Sequence, residues 1–246
     1  MALTNTQYNT IMRVYEQKQT KNRHERENRL NFVYANVKGY RSLDESVATL
    51  SVSQGKKMLN GDPNALSYEY FDEDSLPDFR AAVQKCRNFA ASFDSSGRNL
   101  FFYGTVGTGK TFLSNCIARE VIESGHSVIY FSASMLFDTL SRNAFDIKRQ
   151  DNLDYLYNDL YNCDLLVIDD LGTEQSTPFT LSHLFTVLNE RIIRKKSMII
   201  STNLSLPELK ERYQDRIFSR ITSSFDFCKL TGPDIRMYRK RLANRK

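Results

Sequence analysis

Gly104-Thr105-Val106-Gly107-Thr108-Gly109-Lys110-Thr111 meets the pattern G-x-x-x-x-G-K-[ST] at every fixed position. The apolar run Leu100-Phe101-Phe102-Tyr103 precedes it, and a helical pattern from Lys110 to about Ser124, closed by Gly125, follows it. Strand, glycine loop and helix in that order form a cradle for phosphate. The glycines let the backbone wrap until successive N–H groups face one anion, and the helix N-terminus adds its partial positive charge. In such a loop Lys110 reaches the β- and γ-phosphates and the Thr111 hydroxyl ligates Mg²⁺. That one segment confines the chain to folds in which a buried strand feeds a helix.

Elsewhere the pattern is that of a parallel sheet. Short apolar runs at 128–131, 165–168 and 198–201 alternate with helical patterns at 78–93, 135–142, 155–161 and 180–194. Apolar runs of four bounded by turns, with helices between them, describe strands buried on both faces. The expected class is α/β, a P-loop NTPase with a parallel sheet and helices on both faces.

The run 165–168 delivers Asp169 and Asp170 at a C-terminal strand end, where open α/β sheets collect ligands. Asp169 fits the role of holding Mg²⁺ through its water shell, and Asp170 that of orienting and polarising the attacking water. Asn203, after the run at 198–201, fits either a γ-phosphate sensor or an Asx cap on the helix that starts near Leu206. Arg212, Arg216 and Arg220 recur at i, i+4 and i+8, which predicts one row along a helix face, either an interface stripe or a solvated one. An arginine offered to a neighbour's nucleotide is worth roughly 10³–10⁵ in rate. Arg236, after Thr231-Gly232-Pro233-Asp234-Ile235, is a further candidate for sensing phosphate. Phe145, Lys148 and Arg149 combine aromatic and basic character in a polar loop, which suits either single-stranded nucleic acid or an ordinary surface. The three histidines are isolated and no C-x-x-C pair occurs, so no metal site beyond Mg²⁺ and no disulfide framework is expected.

Charge is spread unevenly. Residues 1–61 carry ten Lys/Arg against five Asp/Glu, 236–246 carry six basic residues and no acidic one, and 62–235 carry 18 basic against 24 acidic. Basic ends on an acidic body point to an anionic or acidic partner, nucleic acid or protein. Tyr8, Ile11, Met12 and Tyr15, then Arg26, Leu30, Val33 and Tyr34, recur at helical spacing and predict a helix or helical pair over 5–35. Its apolar stripe is thin, so it is expected to dock on something else. The expected organisation is a basic helical partner-binding segment at 1–62, a linker at 63–77, a nucleotide-binding domain at 78–236 and a basic tail at 237–246. No apolar run approaches the ~20 residues of a membrane span, and the polar start lacks a signal-peptide core. A cytoplasmic protein with no membrane partner is the expectation.

Tyr103-Gly104-x-x-Gly107-x-Gly109-Lys110-Thr111, Ile168-Asp169-Asp170-Leu171-Gly172, Ser201-Thr202-Asn203 and Arg216-Ile217-Phe218-Ser219-Arg220-Ile221 occur in that order. Together they resemble the AAA+ ATPase domain of the DnaC/DnaI-type helicase loaders and the related IstB transposon ATPases, over roughly 78–236. The resemblance implies an AAA+ core without a large lid domain and ATP with Mg²⁺ as ligands, held by Gly104 to Thr111. It implies Asp169 and Asp170 as the Walker B pair, Asn203 as sensor 1, Arg220 (with Arg216 second) as the trans-acting finger, and Arg236 as a sensor-2-like arginine. Single-stranded DNA in a spiral of self-associated subunits and a hexameric replicative helicase of the DnaB type are implied as partners. At the Asp170 position this family more often carries Glu. Several similar loaders also carry a Cys-rich zinc module where this chain passes from Asn60-Gly61-Asp62 to Tyr68-Glu69-Tyr70 with no C-x-x-C. Three functions are expected in turn: an ATP-switched helicase loader, an IstB-like transposition accessory ATPase that binds duplex DNA and a transposase, and a nucleotide-dependent adaptor that barely turns over.

Overall fold

The computed structural model describes residues 32–34, 66–94, 97–145 and 150–237. Among them, six strands form one parallel sheet. In chain order they are β1 (Phe32–Tyr34), β2 (Asn99–Tyr103), β3 (Val128–Ser132), β4 (Leu165–Leu171), β5 (Ser197–Thr202) and β6 (Asp226–Lys229). The helices are α1 (Leu76–Ala91), α2 (Lys110–Glu123), α3 (Ala133–Phe145), α4 (Gln150–Asn162), α5 (Pro178–Ile193) and α6 (Leu206–Ser224). The spatial order is β1-β3-β4-β5-β2-β6, so β5 lies between the strand that feeds the glycine loop and the strand that carries the acids.

Successive side chains of a strand point to opposite faces, and here both faces are apolar. Phe101, Phe131, Ile168 and Ile200 join one core with α3, α4, α5 and α6. Their neighbours Phe102, Tyr130, Val167 and Ile199 join the other, with α1 and α2. Helix starts are set by local chemistry. Thr177 and Ser205 each accept the N3 backbone N–H and donate their own backbone N–H to the N3 side chain in a capping box, and Pro178 and Pro207 add fixed φ in the first turn.

Four features differ from the sequence reading. Phe32–Tyr34, placed in a helix by its spacing, pairs as a strand with Val128–Tyr130 of β3. Phe-Val-Tyr is a β-forming triplet, and the backbone pairing overrides a weak helical period. The remainder of the segment expected at 1–62 lies outside the described residues, as does the tail from 238. Second, 66–75 is packed, not an open linker: Phe71 stacks on Phe79 with ring centroids 3.8 Å apart, and Tyr68 meets the same ring edge-on. Third, β6 has no counterpart in the predicted strands, because its Asp-Phe-Cys-Lys is short and exposes both charged residues. Fourth, β4 runs on through both aspartates to Leu171. Ile168 pairs with Ile200 and Leu171 with Thr202, so β4 holds one extra residue over β5. Such a bulge re-aims side chains, and Asp170 sits in it at φ 54°.

Candidate nucleotide-binding site

Residues 104–109 link β2 to α2, and the loop is braced from behind by the chain that follows β6. Leu230 N–H donates to Tyr103 O at 2.8 Å and Ile235 N–H to Gly107 O at 3.0 Å, while the Thr108 hydroxyl lies 3.2 Å from Leu230 O. The contact is tight enough to require glycine. A Cβ at Gly104 would stand 2.2 Å from Leu230 O, one at Gly107 would stand 2.2 Å from the Asp234 carboxyl, and both residues have positive φ.

In front of the loop is a cavity of about 810 Å³. Val106, Gly107, Gly109, Lys110 and Thr111 line it together with Asp169, Asp170, Asn203 and Arg236. Gly104, Thr105 and Thr108 are not among the lining residues, and the two threonine hydroxyls reach the bracing chain at Gly232 O and Leu230 O. Lys110 is buried, and its amine donates to Gly104 O at 2.9 Å and Thr105 O at 2.5 Å. Burial pushes the ammonium down to about 8, against the pull of Asp170 and Asp169. Leu66, Tyr70, Phe79 and Ile235 add apolar walls to the cavity, a lining suited to a planar base.

Asp169 is buried and held by hydroxyls: Thr111 at 3.3 Å, Tyr130 at 3.0 Å, and Ser201. Ser201 Oγ also accepts the Asp170 N–H at 2.9 Å, so one serine of β5 fixes both acids. Asn203 lies 3.4 Å from Asp170 Oδ1. Burial and the neighbouring Asp169 raise the Asp170 carboxyl above the usual carboxylate range, with Lys110, Arg236 and Asn203 opposing. Tyr130 carries no motif, and Ser201, though part of the Ser201-Thr202-Asn203 run, had no role assigned from sequence. The only available signal was a hydroxyl near the end of an otherwise apolar strand.

Other candidates lie elsewhere. Arg236 reaches the cavity rim, its Nε 3.4 Å from Asp234 Oδ1. Arg216 and Arg220 are exposed on α6 and do not line the cavity. Arg212 does not share their row. Gln214, with φ 62° and ψ 169°, breaks α6 between them, and the Arg212 guanidinium turns to Glu174, 3.6 Å away. Phe145 is 76% exposed at the end of α3, its ring 5.6 Å from that of Phe179, away from the cavity. Lys148 and Arg149 fall outside the described residues.

Among the described residues, no group of three or more His, Cys, Asp or Glu is placed to hold a metal ion. No described helix is long and apolar enough to cross a membrane.

The fold and the site can be set beside known proteins. The replicative helicase loader DnaC of Escherichia coli (strain K12) is 27% identical over 143 residues, which are 57% of this chain and 56% of that protein. The replicative helicase loader DnaI of Bacillus subtilis (strain 168) is 28% identical over 142 residues, 56% of this chain and 44% of that one. The chain thus spans about half the length of the curated relatives it matches. A crystal structure of the DnaC helicase loader superposes with a TM-score of 0.57 at 25% identity, covering 63% of this chain and 90% of that one. The model of the family described as IstB-like ATP binding protein matches residues 15–241. With that match running through the glycine loop, both acids and the strap behind them, the chain belongs to the IstB-like ATP binding proteins, on a P-loop AAA+ ATPase core.

Proposed function

We propose that this protein loads a hexameric replicative helicase of the DnaB type onto single-stranded DNA, with ATP binding and hydrolysis switching it between helicase-bound and released states. The observation that carries this reading is the match to two helicase loaders, DnaC and DnaI, over a little more than half of this chain. In the cavity, Lys110 holds the β- and γ-phosphates of ATP and the loop N–H groups orient them. Thr111 Oγ1 and Asp169 Oδ1 stand 3.3 Å apart, an exposed hydroxyl beside a buried carboxylate, and this hard oxygen pair would suit Mg²⁺. Held by Thr111 and Asp169, Mg²⁺ would supply charge neutralisation at the phosphates. Asp170 orients and polarises the attacking water, and Asn203 beside it senses the γ-phosphate.

Lys110 and Arg236 supply the positive charge in this cavity, whereas Arg216 and Arg220 face outward. Those two act in trans, on the nucleotide of a neighbouring copy, with Arg220 as the finger and Arg216 as its alternate. Hydrolysis is therefore slow until subunits self-associate. Exposed Phe145, next to Phe179, with Lys148 and Arg149 close behind in sequence, offers a base-stacking and phosphate contact for the strand. The basic segment 1–62 docks on the helicase.

The test is transfer of the replicative helicase of the same host onto a closed single-stranded DNA circle, which has no end to thread. Transfer that needs both this protein and ATP is expected. Transfer no greater than that of helicase alone contradicts the reading. The family match favours a second reading, an IstB-like accessory ATPase that binds duplex DNA and a transposase. Preference for duplex over single strand would select it.

A further inference from the structure

Glu174 carries a buried carboxylate that the nucleotide chemistry leaves unused. It stands four residues past Asp170, in the turn after β4, with its side chain 2% exposed. Gly172 N–H donates to its Oε2 at 2.9 Å, and the Tyr213 phenol donates to its Oε1. Arg212 Nε lies 3.6 Å from Oε1, and another guanidinium nitrogen of Arg212 donates to the Glu174 carbonyl. The turn is closed on its other side as well: Asp170 O accepts the Thr173 N–H at 3.2 Å and the Thr173 hydroxyl at 2.8 Å. Asp170 to Glu174 is thus tied into one hydrogen-bonded unit, and its far end contacts Arg212 and Tyr213.

Those two residues end the first half of α6. The next residue, Gln214, has backbone that glycine alone adopts freely, and Arg216 and Arg220 follow on the second half. An ion pair buried in this way is weak evidence for stability, since a well-packed apolar replacement is often as good. A costly buried charge and a strained backbone residue therefore stand side by side, between the acid that faces the nucleotide in one subunit and the arginines it presents outward.

We propose that Glu174 is a positioning residue that couples the Asp170 turn to the second half of α6, setting where Arg216 and Arg220 stand when this subunit offers them to a neighbouring copy. A shift of Asp170 on nucleotide binding or loss moves the turn, the turn moves Arg212 and Tyr213, and the break at Gln214 converts that into a reorientation of the arginines. The inference rests on the reading of Arg216 and Arg220 as trans-acting.

Mixed assemblies test it. A donor with Lys110→Ala offers arginines but has no working site of its own. An acceptor with Arg216→Ala and Arg220→Ala has a site but offers none. Mixing the two is expected to restore ATP hydrolysis that neither shows alone. Glu174→Gln placed in the donor is expected to cut the restored kcat about 10- to 100-fold, with KM unchanged. The same change in the acceptor, or in an otherwise unaltered protein, is expected to leave fluorescent-nucleotide affinity and thermal unfolding close to normal. Full restoration by the Glu174→Gln donor overturns the inference, and so does an equal loss when the change sits in the acceptor. Should mixing fail to restore activity with unaltered Glu174, the trans-acting reading itself falls and takes the inference with it. Tyr213→Phe removes only the phenol donor and keeps the ring in the core, so it serves if Glu174→Gln does not fold.

Discussion

Among the described residues, Gln214 is the one least suited to its own backbone. At φ 62° and ψ 169° it occupies a region that is essentially restricted to glycine, at a cost of about 1–3 kcal/mol. Gln214→Gly relieves that strain and gives back about 1 kcal/mol through the freer unfolded chain. Denaturant unfolding of Gln214→Gly is expected to show a stability gain of up to about 2 kcal/mol, and a loss would mean that the side chain contributes contacts that outweigh the strain. Asp170 is a residue whose charge matters more than its packing. Asp170→Asn keeps the shape and the bond from its backbone N–H to Ser201 Oγ, so nucleotide affinity should hold while hydrolysis falls about 10²–10⁴-fold. Equal loss of binding and turnover would place Asp170 in binding alone. At this scale the sequence was informative where chemistry demands fixed spacing. Lys110, Thr111, Asp169 and Asp170 were legible because a phosphate cradle and a strand-end acid pair tolerate few alternatives. Tyr130, Ser201 and Glu174 were not, because a hydroxyl or carboxylate that supports a neighbour can come from any strand or turn that happens to lie alongside.

Among the elements, the parallel strands were readable since both faces of each are buried, which leaves an uninterrupted apolar run. β6 escaped because its apolar stretch is only two residues, Phe227 and Cys228, between exposed charges, and the row of three arginines failed because a single backbone break at Gln214 separates Arg212 from the other two. What binds the elements at the end of the sheet remote from the cavity is Asp164, just before β4. It accepts from Ser127 N–H and hydroxyl at 2.9 Å each and from Lys196 at 3.1 Å, with His126 3.7 Å away, and so joins the approaches to β3, β4 and β5. Burial would raise this carboxyl, but the bonds from His126, Ser127 and Lys196 outweigh it and hold the group well below the usual range. A carboxyl depressed in the folded state contributes stability that is present above its unfolded value of 3.8 and is lost as pH falls through the folded value. Asp164→Asn is therefore expected to cost about 1–3 kcal/mol at neutral pH and to flatten the decline in stability below about pH 4. Urea unfolding at a series of pH values checks both. A variant that still loses stability as steeply in acid would assign that limb to other carboxylates.

For the whole molecule, charge separates the two ends of the sequence from the part that holds the nucleotide cavity. The acidic body, 62–235, holds the cavity, and the basic residues gather in 1–61 and 236–246. Arg236 belongs to both worlds, since it begins the basic tail and lines the cavity beside Lys110 and Asp170. The strap from Leu230 to Arg236 thus leads from the back of the glycine loop to the cavity rim. In the loader reading, ATP must change the assembly that this protein forms with a helicase hexamer. Native mass spectrometry of the protein mixed with the replicative helicase of its own host, first with ATP and then with ADP, measures that directly. The expected result is a helicase hexamer carrying several copies of this chain with ATP and a different or smaller assembly with ADP. No complex with either nucleotide would contradict helicase loading.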